Sequence, residues 1–284
     1  MKERKTYEEF MAMLDESLES YISSERPECT LEKSEVLNPN EKREAFTVVD
    51  ASYYEGRQAF PVFYYDQLYE RYVKGQSVGE IFDLVRSAIE NASKNQKNLT
   101  DFYYSFEKMQ RNVFQSVINT ERNRAFLEEV VHRDLPELGL SIIYRICDPG
   151  KSLYGLIYKY QLDLYNMTEE ELYQRSRVNM LTSIPVEITE FSPGLIVSNG
   201  QSIFGAGYIL IDTVQNRISQ EMGGDYYICP SSIHETICCS SDIDKAGLQN
   251  TVKHVNAEFL EKRDFLSDDL FYYDHRQKKV IRVM

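Results

Sequence analysis

The sequence has no tryptophan, only four histidines, and no run approaching the roughly 18 consecutive apolar residues that a membrane helix needs. The missing run predicts a chain that does not enter a bilayer. The charged start, MKERKTYEEF, lacks the apolar h-region of a secretory signal. Basic charge is scarce too: 32 Lys and Arg stand against 45 Asp and Glu, for a net charge of −13. With no basic patch of useful size to offset this, direct nucleic-acid binding is not expected. Cys29, Cys147, Cys229, Cys238 and Cys239 are an odd set without framework spacing. Free thiols in a reducing cytoplasm are the reading they support.

What is present is ordinary for a globular protein: 42% hydrophobic and 27% charged residues over 284 positions, enough to bury a core without staples. Tyrosine is abundant, at 21 residues. It suits half-buried strand faces, where the ring packs and the hydroxyl stays wet.

Apolar spacing predicts a helix over 7–22, opened by a capping box of Thr6 and Glu9 and stopped by Arg26-Pro27. Strands over 29–37 and 44–50 flank an Asn-Pro-Asn-Glu turn. A helical stripe follows from Val62 to Tyr72, and Ser77 caps a further helix. The polar run over 91–100 reads as a loop. Next come a short helix over 102–109, a strand over 113–119, a helical pattern over 121–130, and strands over 138–147 and 152–161 around Asp148-Pro149-Gly150. Thr168 and Glu171 box the start of a helix running to about Thr182. Strands over 184–191 and 195–198 precede a helix starting near Gly207 and ended by Gly223-Gly224. Strands over 226–229 and 233–239, a helix over 246–260 and a last hairpin over 270–273 and 280–283 complete the chain. Helix groups alternating with hairpins give an α+β fold, with hairpin-rich mixed or antiparallel sheets and helices packed on one side. A soft boundary over 161–168 suggests two similar halves, 1–162 and 163–284, or one continuous domain.

Reactive residue types concentrate in DYYICPSSIHETICCS, residues 225–240. His234-Glu235 begins an H-E-x-x-H pattern, but its fifth position is Cys238 and the β-branched neighbours favour a strand. On a strand His234 and Cys238 stand about 13 Å apart, whereas zinc ligands lie about 2.0–2.3 Å from one ion. No metal and no cofactor is expected, and only a Cys229–His234 pair stays open. Ser232 and His234, two residues apart on one strand face, are the candidate catalytic pair, as nucleophile and base. Glu235 faces the other way, so an orienting acid would have to come from elsewhere. Gly150-Lys151-Ser152 lacks the upstream glycine and following helix of a phosphate loop, and Gly205 and Gly207 lack a dinucleotide fingerprint. His132-Arg133-Asp134 has no kinase context, and Arg133 is expected to pair with a neighbouring carboxylate.

Several pieces carry a family resemblance: VFQSVINTERNRAFLEEVVHRDLPELGLSIIYRI, NMTEEELYQRSRVNML, IFGAGYILI, YYICPSSIHETICC and LSDDLFYYD, with PSSIHE the most specific. The chain resembles a family of uncharacterised bacterial proteins, a domain of unknown function common in gut Firmicutes. In layout it is similar to YtpQ-like proteins. The resemblance implies a soluble cytoplasmic α+β protein and supplies no activity. The leading expectation is a cofactor-free protein that acts by contact with another protein. A hydrolase using Ser232 and His234 is the alternative, and an acidic inhibitor of nucleic-acid enzymes is the third.

Overall fold

A computed structural model describes residues 4–50, 59–148 and 153–283. They group into two compact units, Met1–Asn38 with Lys42–Ser105, and Pro39–Glu41 with Phe106–Met284. Residues 161–168 lie inside the second unit. Every strand pairing with a described register is antiparallel, and helices and sheets mix as an α+β fold.

In the first unit Thr6 Oγ1 accepts the Glu9 N–H and the Glu9 carboxylate accepts the Thr6 N–H, opening α1 (Tyr7–Glu25). Its buried stripe of Phe10, Leu14, Leu18, Tyr21 and Ile22 packs in a core with the three-stranded sheet of β1 (Cys29–Asn38), β2 (Glu41–Asp50) and β3 (Phe63–Tyr64). Helix α2 (Tyr65–Val73) and α3 (Val78–Lys94) contribute Leu68, Ile81, Val85 and Ile89 to the same core. The polar run over 91–100 is helical, not a loop: α3 reaches Lys94 and α4 spans Gln96–Tyr104. That run has neither Gly nor Pro to break it. Asn95 joins the two helices, donating its N–H toward Asn91 and Ala92 and accepting those of Asn98 and Leu99.

The second unit begins with α5 (Phe106–Asn112), β4 (Val113–Asn119), a 3-10 turn at Glu121–Asn123 and α6 (Arg124–Leu127). Then come β5 (His132–Leu135), β6 (Leu140–Asp148), β7 (Leu153–Leu156), α7 (Lys159–Tyr165) and α8 (Glu169–Thr182). The expected 121–130 helix is thus a 3-10 turn running into the short α6 and ends at Leu127. The expected 152–161 strand stops at Leu156 and gives way to α7. Residues 149–152, with the Asp-Pro-Gly turn tip and Gly150-Lys151-Ser152, lie outside the described residues. β4 pairs along one edge of β6, and β5 and β7 share the other.

The chain continues with β8 (Val186–Phe191), β9 (Gly194–Asn199), a 3-10 segment at Gly205–Leu210, α9 (Asp212–Met222), β10 (Tyr226–Cys229) and β11 (Thr236–Ser240). It closes with α10 (Lys245–Glu258), a 3-10 turn at Lys262–Asp264, β12 (Leu270–Asp274) and β13 (Lys279–Val283). These strands form a six-stranded sheet in the order β13-β12-β10-β11-β9-β8.

Strand β6 is buried on both faces, and alternation divides its side chains. Tyr144 turns toward α8, where its hydroxyl donates to Glu169, and Arg133 of β5 pairs with the same carboxylate, Nε to Oε1 at 3.0 Å. Arg145 and Cys147 turn the other way on either side of Ile146, toward the 199–205 loop, which carries Gln201 and Phe204. The tyrosines expected to be half-buried include four that are wholly buried: Tyr144, Tyr208, Tyr226 and Tyr273.

Candidate functional site

The strand expected over 233–239 starts only at Thr236, so Ser232 and His234 sit in a six-residue connection, 230–235, between β10 and β11. Local bonding explains the late start. Ser232 Oγ accepts the N–H groups of His234 at 3.0 Å and Glu235 at 3.3 Å, and Ser232 N–H donates to the Glu235 carbonyl at 3.1 Å. A hydroxyl that binds the following backbone competes with the sheet ladder and holds a turn instead. The shared strand face expected for Ser232 and His234 therefore does not form.

His234 is held at both ring nitrogens and at its backbone carbonyl. Its Nδ1 accepts the Phe204 N–H at 3.0 Å, which places the ring proton on Nε2, 3.1 Å from Asp264 Oδ1. Its backbone carbonyl accepts Ser198 Oγ at 2.8 Å and the Gly205 N–H at 2.9 Å. Asp264, from the 3-10 turn before β12, is the acid that residues 225–240 could not supply. The histidine–carboxylate half of a triad exists, but both ring nitrogens are engaged and neither bonds Ser232 Oγ. In this arrangement His234 is not placed as a base for Ser232.

Around His234 the chain is strained. Phe204 adopts φ 57° and ψ 27°, and Ser202 has φ 53°. A bulky residue in left-handed backbone costs on the order of 1–3 kcal/mol and persists only when its surroundings fix it. The N–H bond to His234 and the tilted ring contact with it, centroids 5.2 Å apart, do so here. On the Phe204 ring lies the Arg145 guanidinium, Cζ 3.7 Å from the centroid, with Nε donating to Ser116 Oγ at 2.9 Å. Burial pushes Arg145 down to about 9, which leaves it charged at neutral pH. Tyr154 meets Phe204 edge-on, and its hydroxyl donates to Gln201 Oε1 at 2.5 Å.

A second feature lies between α10 and the β10–β11 pair. A cavity of about 290 Å³ is walled by Phe191, Ile237, Leu248 and Val252, with Cys229 and Cys239 in its lining. Register sets Cys229 opposite Ile237 and Tyr227 opposite Cys239, so the two thiols are diagonal neighbours on one sheet face. Diagonal Cα atoms stand about 7–8 Å apart, beyond the usual disulfide reach of about 6.8 Å. All five cysteines are free thiols. The hydrogen bond to Cys239, and then burial, push the Cys229 thiol up. Burial alone is the main cause for Cys238, on the opposite face.

Among the described residues one cluster has metal-ligand types, Glu28, Cys29 and Asp50 in the first unit. Arg26 already binds both carboxylates there, Glu28 at 2.7 Å and Asp50 at 3.1 Å, so the group is an ion-pair cluster.

A family model matches residues 7–195 and 193–275. The chain belongs to DUF5688, a family of unknown function. No curated protein and no solved structure matches it. No described helix is long and apolar enough to cross a membrane.

For this DUF5688 chain, the sequence reading paired His234 with Ser232, whereas the ring nitrogens of His234 meet Phe204 and Asp264. It placed weight on Ser232, whose hydroxyl is spent on the turn. It missed Asp264, Phe204 and Arg145, which are 30, 30 and 89 positions from His234 and carry no motif. The one available signal was Arg145 itself, a charged residue inside the otherwise apolar strand pattern of 138–147. The expected Arg133 ion pair forms with both Glu169 and Glu170.

Proposed function

We propose that this protein works by binding a partner protein, and that the cavity beside Cys229 and Cys239 receives an apolar side chain of that partner. One observation carries the reading: apolar surface continues past the cavity. Phe191 is 45% exposed, Val255 38% and Phe259 76%. Leu248, Val252, Val255 and Phe259 follow at helical spacing, so Phe259 extends the stripe of α10 that walls the cavity. A volume of about 290 Å³ is at the small end for a separate ligand, since such pockets run to about 300–1,000 Å³. A small molecule would also leave Phe259 in water, whereas a polypeptide covers the cavity and its rim together. A photo-crosslinking residue at position 259 should give one discrete protein adduct in the source cell, and Leu248→Trp, which fills the cavity, should abolish it. An adduct unchanged by Leu248→Trp, or none at all, overturns the reading.

Asp264 beside His234 favours a second reading, hydrolysis by Ser232 and His234. It requires His234 Nδ1 to release the Phe204 N–H and turn to Ser232. Ser232→Ala decides it: lost cleavage of a panel of small esters supports hydrolysis. Equal rates in both proteins, with stability lower by about 1–2 kcal/mol, mark Ser232 as a turn residue.

A further inference from the structure

Arg145 stands apart from the other arginines held away from water. Arg43, whose side chain is 8% exposed, pairs with Asp66 at 2.5 Å, Arg26 binds two carboxylates, and Arg133 binds two more. Arg145 is 6% exposed, and no carboxylate among the described residues forms an ion pair with it. The one titratable neighbour named as favouring its charge is the Tyr158 phenol. A buried charge with no counter-charge is costly, and proteins retain one where something else supplies the compensation.

The geometry points to a small-anion site at Arg145, in which the terminal guanidinium nitrogens receive an oxyanion, a carboxylate or phosphate group, edge-on. Nε is committed to Ser116, and one guanidinium face is covered by Phe204. Among the described residues the terminal nitrogens donate no hydrogen bond, yet they are not among the fully occluded unpartnered atoms found there, which are Gln96 Oε1, Gln115 Oε1, Tyr226 OH and Thr236 Oγ1. Arg145 as a residue keeps a narrow contact with solvent, at 6% exposed. A guanidinium fork offers two parallel N–H groups in one plane, the match for two oxygens of a carboxylate or phosphate. A ring face adds attraction to the cation but cannot neutralise it. The strained Phe204, fixed by His234 and followed by the tightly packed Gly205, keeps that ring in place over one face of the guanidinium. The site makes no use of the cavity beside Cys229, so it stands or falls independently of the partner-binding proposal.

Thermal unfolding of the full chain in phosphate or acetate, with ionic strength balanced by sodium chloride, tests it against Arg145→Met. The wild-type midpoint should rise saturably, by about 2 °C or more, in at least one of the two anions, and the variant should not respond. A response to acetate alone assigns a carboxylate ligand, and one to phosphate alone a phosphate. Matching curves for the two proteins, or a flat wild-type curve, overturn the proposal. Should Arg145→Met fail to fold, the wild-type protein labelled with 15N-arginine gives the answer. One Nε–H resonance should then shift saturably with the anion, and no saturable shift overturns the site.

Discussion

A Cβ placed on Gly205 would lie 2.5 Å from Ser198 Oγ and 2.8 Å from both the His234 carbonyl oxygen and Ser198 Cα. Two of those three atoms are backbone, so the chain itself would have to move. Gly205→Ala should destabilise the fold by about 2–4 kcal/mol in urea titration and loosen the Phe204–His234 contact. Tyr226 offers a change of the opposite sign. It is fully buried, stacked on Tyr273 at 4.9 Å, and its hydroxyl has no hydrogen-bond partner among the described residues. Removing an unsatisfied buried hydroxyl without altering the ring should help, so Tyr226→Phe is expected to raise stability by about 1 kcal/mol in the same titration. Neither effect was legible in sequence. Gly205 is one of 13 glycines and Tyr226 one of 21 tyrosines, and what distinguishes each is a neighbour remote along the chain.

At the scale of elements, capping was the most readable feature. The boxes of Thr6 with Glu9, Ser77 with Glu80 and Thr168 with Glu171 form with both reciprocal bonds. They need only residues three apart, so no distant contact can overrule them. Thr168→Ala should cost about 1 kcal/mol through the lost cap. Glu80 and Glu171 are held below the usual carboxylate range, chiefly by accepting the N–H groups of Ser77 and Thr168. A lowered folded pKa gives stability that is present above the ordinary carboxylate pKa and lost as pH falls through the folded value. Unfolding followed from pH 7 downward should therefore show a shallower acid loss in a Glu80→Gln, Glu171→Gln double variant. An unchanged slope would count against the boxes. Element boundaries were read less well, and for a physical reason. In 91–100 polar composition suggested a loop, but tertiary burial of Gln96 and Phe102 fixed a helix. In 233–239 β-branched residues suggested a strand, and the Ser232 hydroxyl delayed it.

Across the whole molecule, tyrosine governs the alkaline limit. Burial, the largest cause in each case, pushes Tyr7 and Tyr272 up to about 12 and Tyr65, Tyr144, Tyr208 and Tyr226 further. Phenols with raised folded pKa contribute stability that is complete below the ordinary value of about 10 and is lost as pH rises toward the folded values. Arg145, lowered to about 9, works in the opposite direction over that range, but it is one group against six. Stability should fall steeply above about pH 10, and the part of the tyrosinate absorbance due to these six phenols should appear in step with unfolding rather than before it. Smooth ionisation of all phenols near pH 10 in a folded protein would contradict this burial.

The sequence by itself determined the α+β class, the capped helices, most of the hairpins and the want of any apolar run long enough to span a membrane. Each of these depends on residues within a turn or a strand of one another. Tertiary structure alone decided what the reactive residues touch. It brought Asp264 and Phe204 to the two ring nitrogens of His234, stacked Arg145 on Phe204 without a carboxylate, and set Cys229 beside Cys239 in an apolar cavity. Side chains separated by 30 or more positions meet only when sheets and helices pack. The free energy that fixes such meetings comes from burial, which no local pattern records.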